Sequence, residues 1–191
     1  MKNFKLIASG LDVAASLAEI AAQPEMWKEI TMRQTFPGSV HHDTEAIHLR
    51  VPTEATPEAI LESLESRDNV PTLQRLPATC ALLSGLMKAV DVRQLGRVMI
   101  VNLKAGGEID PHYDGGAYAA HFDRFHLVLD SAEGNIFHCA GESVHMRAGE
   151  FWCFNHFIEH HVLNRSDRDR IHIIIDALLG HWPAAPAAKG D

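Results

Sequence analysis

What most constrains this chain is the texture of its second half. From Arg97 onward, short segments rich in β-branched and aromatic residues alternate with Gly, Asp, Asn and Ser turns, at about 97–104, 108–114, 124–130, 134–139, 143–147, 151–156, 158–164 and 170–178. Eight short strands at nearly regular spacing, with no helical stretch between them, predict a closed antiparallel structure such as a jelly roll. Phe151, Trp152 and Phe154 are assigned to its core. With 46% hydrophobic and 22% charged residues over 191 positions, a single domain over 1–180 can bury a substantial interior.

Residues 1–96 read as a helical support region with one strand. Asp12 is placed to cap a helix carrying Val13, Leu17 and Ile20. Thr56 before Pro57 opens a second helix through Ile60, Leu61 and Leu64, and a third follows Pro77 with Leu82, Leu83, Leu86 and Met87 at core spacing. Between the first two, Ile47, Leu49 and Val51 alternate with Ala46, His48 and Arg50, the period of a strand. The Pro-rich tail 181–191 is expected to be flexible.

Composition excludes several function classes. Seventeen Lys and Arg against twenty-five Asp and Glu give a net charge of −8, which offers no general attraction for a phosphate backbone, so nucleic acid is not an expected partner. No apolar run reaches the ~18–20 residues that span a bilayer, and the first residues lack a signal-peptide pattern, so no membrane partner and a cytoplasmic location are expected. Cys80, Cys139 and Cys153 never form CxxC and predict reduced thiols rather than a disulfide framework. Histidine is the outlier: ten of thirteen lie between residues 112 and 191.

The chemistry is sought there. In Pro111-His112-Tyr113-Asp114, side chains two apart on a strand share a face, so His112 and Asp114 can meet at one divalent metal. In Phe157–Asn164, His160 shares a face with Ile158 and Val162, while His161 lies opposite; a one-residue register slip would exchange them. Ten residues beyond His160, Arg170 precedes the apolar run IHIIIDALL, where an arginine has no packing role but suits a buried carboxylate. Two histidines and a carboxylate on a β scaffold make the facial triad that leaves positions open on non-haem Fe(II).

At this point the chain resembles the Fe(II)- and 2-oxoglutarate-dependent oxygenases, and within them the aspartyl/asparaginyl β-hydroxylase family. The resemblance rests on Pro111-His112-Tyr113-Asp114, Arg124-Phe125-His126-Leu127-Val128-Leu129, Gly149-Glu150-Phe151-Trp152-Cys153-Phe154, His160-His161-Val162-Leu163-Asn164 and Asp169-Arg170 through Asp176, in that order over 97–178. The upstream HHDTEAIHLR is also similar to small members of the family. It implies a double-stranded β-helix, cupin-like, with the N-terminal helices packed outside. It further implies that His112, Asp114 and His160 bind Fe(II) and form the catalytic centre. Arg170 would pair with the distal carboxylate of 2-oxoglutarate, and Arg124 with His126 would hold its other end. The activity implied is hydroxylation of an aspartyl- or asparaginyl-type side chain, free or in a peptide, with O2 consumed and succinate and CO2 released.

Other readings stay open on the sequence. Arg124 could instead pair with Asp123 or Asp130, and His126 could be a satisfied core histidine. His41, His42 and Asp43 read as exposed loop residues or a substrate-side lid, and His121, His138, His145, His156 and His172 carry no role. A cupin-like metal enzyme without 2-oxoglutarate, and a non-catalytic small-molecule-binding jelly-roll module, are the competing functions. Oligomeric state is open.

Overall fold

The structure is a computed structural model and describes residues 1–35 and 39–180. The predicted tail, 181–191, lies outside the described residues. Eleven strands are described: β1 Phe4–Ala8, β2 Thr44–Pro52, β3 Ser66–Asp68, β4 Val92–Leu103, β5 Glu108–His112, β6 Asp123–Asp130, β7 Asn135–Cys139, β8 Glu142–Val144, β9 Phe151–Phe154, β10 His160–Asn164 and β11 Arg170–Leu179. Helices are α1 Ala14–Ala21, α2 Met32–Thr35, α3 Pro57–Glu62, α4 Val70–Arg75, α5 Pro77–Ala89 and α6 Gly116–His121, with a 3-10 turn at Pro24–Lys28.

The strands form a seven-stranded sheet, β1-β9-β6-β11-β4-β2-β3, and a four-stranded sheet, β5-β10-β7-β8. All pairings are antiparallel. This mainly β, jelly-roll architecture is the one the strand spacing predicts. Strand parity divides the large sheet's two faces. Ile47, Leu49, Val98, Ile100, Phe125, Leu127, Ile173 and Ile175 cluster with Ile20 of α1, Leu86 of α5 and Leu76 at the junction of α4 and α5, so the helices do pack outside. On the opposite face Leu103, Val128, Trp152 and Phe154 pack with Ile109, Phe137 and Val162 of the small sheet, and this second cluster is the barrel interior.

Several elements differ from the sequence reading. Phe151 sits under the helices with Cys153, not in the barrel, because its neighbours Trp152 and Phe154 take the inward positions. The N-terminal region supplies β1 and β3 as well as β2; β1 is only five residues long, and it is fixed by pairing with β9 rather than by a pattern of its own. The expected series of eight strands without helices is interrupted by α6, between β5 and β6, whose first residue Gly116 has φ +86° and lies where a Cβ would come within 2.4 Å of the Leu61 carbonyl oxygen. Gly116→Ala is therefore expected to lower stability by about 2 kcal/mol or more in urea denaturation. Helix α1 begins after Val13, yet Asp12 still accepts from the Ala14 amide at 3.0 Å. Thr56 caps α3 as expected, accepting from the Ala59 amide at 3.1 Å. Among the described residues no helix is long and apolar enough to cross a membrane. Cys139 and Cys153 are buried free thiols, and Cys80 is half-buried and also free.

Candidate metal centre and anion pocket

The site is built by the meeting of β5 and β10. These strands pair with His160 opposite His112, and the two imidazole centroids lie 4.3 Å apart. Asp114 follows β5 in a turn tied back by its own amide to the His156 carbonyl at 3.1 Å. One ligand atom from each of His112, Asp114 and His160 lies within 4.8 Å of the others.

The backbone also fixes which nitrogen each imidazole presents. His112 Nδ1 lies 2.7 Å from the Asp110 carbonyl oxygen, and His160 Nδ1 lies 2.9 Å from that of Ile158. A carbonyl only accepts, so each Nδ1 carries the hydrogen and each Nε2 keeps a free lone pair, the tautomer a metal ligand requires. Burial lowers the pKa of both rings, His160 to about 4, which keeps them neutral near neutral pH. His161 points to the other face and stacks on His138 at 4.4 Å between centroids. Asn164 secures the far end of β10: its buried amide donates to the carbonyls of Leu103, Lys104 and Arg168.

Asp114 is not free. Burial pushes its carboxyl up, but the Arg124 charge and the neighbouring His156 ring outweigh that and hold it well below the usual carboxylate range. Arg124 Nη1 donates to Asp114 Oδ2 at 2.8 Å, and the same guanidinium grips Asp176 through Nε at 2.8 Å and Nη2 at 3.1 Å. Its acid partners are thus Asp114 and Asp176, not the adjacent Asp123 or Asp130. Asp176 is 2% exposed and also accepts from the Tyr118 hydroxyl at 3.1 Å. The sequence carried a signal for it: an acid six residues after Arg170, on the same face of an apolar strand. His156, given no role from sequence, is buried with its Nδ1 3.4 Å from Asp114 Oδ2.

Arg170 and His126 lie on the same inner face as this centre. Arg170 is 4% exposed, its guanidinium contacts the His172 ring at 2.8 and 3.0 Å, and among the described residues it has no carboxylate partner. Burial, followed by the Arg33 charge, lowers its pKa to about 9. The slot beside it is lined by Ser131, Asn135, Phe137, Val144, Met146 and His172. In that slot Ser131 Oγ and Asn135 Oδ1 are buried with no hydrogen-bond partner among the described residues. A buried cation flanked by unsatisfied polar atoms is costly unless an anion completes it. His126 is buried with its Nδ1 3.2 Å from His172 Nδ1, and its ring meets Phe137 and Phe154 edge-on.

The His126–His172 pair makes stability depend on pH. Burial first, then the Arg170 charge, puts both pKa values well below the ordinary one, so the folded chain leaves these rings neutral where the unfolded chain protonates them. The unfolded state then binds more protons below about pH 6.5, so stability is full above that value and falls as pH drops, by up to about 1.4 kcal/mol per pH unit for each imidazole. Urea midpoints measured from about pH 8 down to pH 5 should fall accordingly; a flat profile would contradict neutral burial.

His41 departs from the exposed-loop reading. It is half-buried, and its ring stands edge-on to His112 at 5.1 Å. Its neighbour His42 is exposed, while Asp43 accepts from the Glu108 amide at 3.0 Å and so anchors the start of β5.

The chain is a jelly-roll barrel with a His-Asp-His cluster at its mouth. The barrel is similar in fold to the 2OG-Fe(II) oxygenase family oxidoreductase from Burkholderia pseudomallei, with TM-score 0.56 and 14% identity, covering 92% of this chain and 84% of that one. The viral collagen prolyl hydroxylase of Paramecium Bursaria Chlorella virus-1, solved with 2OG, superimposes with TM-score 0.52 at 14% identity, covering 92% and 95%. At such identity these likenesses show the fold alone. The family model described as aspartyl/asparaginyl beta-hydroxylase matches residues 13–178, and the chain belongs to that family. It is accordingly an enzyme of the 2-oxoglutarate-dependent hydroxylase class. No curated protein sequence matches it.

Proposed function

We propose that the chain hydroxylates a C–H bond of an amino-acid-like substrate of the aspartyl or asparaginyl type, free or in a peptide. In this reading His112, Asp114 and His160 hold Fe(II), and Arg170 binds the distal carboxylate of 2-oxoglutarate with Ser131 beside it. Bound there, iron, 2-oxoglutarate and O2 supply an oxidative decarboxylation that releases succinate and CO2 and delivers one oxygen atom to the substrate.

The observation that carries the reading is the pairing of two tautomer-fixed imidazoles with a charged carboxylate at one point. Each Nε2 lone pair is ready without a proton having to leave, and the backbone carbonyl behind each ring sets its direction. Arg124 fixes one oxygen of Asp114, which leaves the other oxygen for a metal. Arg124 and His126 share an inward strand face but serve different ends of it: Arg124 orients acids near the metal centre, and His126 packs toward His172 and Arg170. Phe137 and Phe154, in contact with each other and with the rings of His126 and His160, give the centre an apolar side, which shields an oxidising centre from side reactions.

A cupin-like metal enzyme without 2-oxoglutarate would leave Arg170 buried and without an anion, a cost nothing in that chemistry recovers. The test is calorimetric titration of 2-oxoglutarate into the Mn(II)-loaded full chain without O2, followed by succinate measurement with Fe(II) under air. Metal-dependent 2-oxoglutarate binding with slow succinate release is expected. Metal binding without 2-oxoglutarate binding would favour the cupin-like reading, and binding of both without succinate would favour a non-catalytic module.

A further inference from the structure

A second group of unsatisfied polar atoms lies on the α2 and β2 side of the metal centre. Arg33 Nη2 is 3.1 Å from His41 Nδ1, and His41 in turn stands against His112. Ser39 sets this pair, donating from its hydroxyl to the Arg33 carbonyl at 2.5 Å while accepting from the His41 amide at 3.1 Å. The guanidinium has five donors. Among the described residues its Nε is buried with no partner, as are His48 Nε2 and Gln34 Oε1. His48 projects from β2 on the barrel side, alternating with Ile47 and Leu49 of the helix-facing cluster.

Charge accounting shows what is missing. The acids that act on Arg33, Asp114 and Asp176, are both held by Arg124. Among the described residues no carboxylate lies in ion-pair contact with Arg33. A divalent metal and the 2-oxoglutarate dianion cancel each other, so loading the centre does not supply Arg33 with its anion. Burial and the Arg124 charge lower the Arg33 pKa to about 10, so it remains a cation at neutral pH. His41, depressed by burial and by Arg33, remains neutral and accepts from it.

We propose that Arg33, aimed by His41 and flanked by His48, anchors a carboxylate carried by the substrate itself, next to the His112 side of the metal centre. This rests on the hydroxylase reading above and narrows it: the substrate is an anion, and its carboxylate lies within a few bonds of the C–H that reacts. A planar guanidinium meeting a carboxylate in a desolvated mouth gives a short, charge-assisted contact, which a carboxamide cannot reproduce.

The test uses the full chain loaded with Mn(II) and 2-oxoglutarate without O2. The probes are L-aspartate, L-asparagine and the α-amide of each, titrated by calorimetry. At least one free acid should bind the wild type about tenfold or more tightly than its amide. Arg33→Ala should remove that preference and Arg33→Lys should retain part of it, with thermal melting of each variant confirming the fold. In turnover with Fe(II), the loss should fall on substrate KM more than on kcat. Preference for the acid that survives in Arg33→Ala overturns the proposal, as does a wild type that binds none of the probes. If Arg33→Ala instead weakens 2-oxoglutarate and leaves the acid–amide difference intact, the guanidinium serves the cosubstrate and the proposal fails. A wild type that binds no 2-oxoglutarate would refute the hydroxylase reading instead, which separates the two failures.

Discussion

His112→Ala and His160→Ala should each abolish succinate formation while the chain stays folded. Each change removes one of two neutral nitrogen donors whose direction is already fixed by a backbone carbonyl, so no neighbouring side chain can take over. His161 cannot substitute for His160, because it lies on the outer face stacked on His138. The loss should exceed the roughly 10- to 100-fold that follows from removing an outer-shell partner of a metal ligand. The fold should survive because both rings sit at strand ends by the barrel mouth, outside the large helix-facing cluster around Leu127 and Ile173. The His160 ring touches the barrel-interior cluster through Phe137 and Phe154. Succinate assays and Mn(II) titration on both variants, alongside their melting curves, check this; turnover retained by both would end the assignment of these histidines to the metal.

Arg170→Met carries the second large expectation, and it has two opposite signs. In the free protein Arg170 is a buried cation facing His172, with its charged form disfavoured by burial. Replacing it by an apolar chain of similar length should leave the melting temperature unchanged or raised, as replacement of uncompensated buried charge generally does. Binding of 2-oxoglutarate should weaken by about 3 kcal/mol or more, roughly a hundredfold, because a carboxylate would then be buried without its partner. A variant that loses stability yet binds 2-oxoglutarate normally would make Arg170 a structural residue.

These expectations rest on features of unequal visibility in the sequence. The barrel was legible because β-branched and aromatic residues recur at period two between turn residues, and period two dictates faces whatever the partner strands are. His112, His160 and Arg170 were legible for the same reason: each has a fixed parity within its strand, whereas Asp114 lies two residues beyond the end of β5 and is brought to them by its amide's bond to the His156 carbonyl. Asp176 lay within a recognisable pattern, but nothing local said that it would hold Arg124. The roles of Arg33 and His41 were hidden further still, since the short α2 and the segment before β2 have no periodicity to place them.

The chain's own order of residues therefore determined which side chains face inward on each strand, because alternation is a property of the local backbone. Only the tertiary structure decided which inward residues meet. The pairing of β5 with β10 puts His112 opposite His160, and the pairing of β6 with β11 puts Arg124 opposite Asp176. Such contacts depend on strand register and on loop closure across 48 and 52 positions of chain, and no local pattern encodes a distance of that kind.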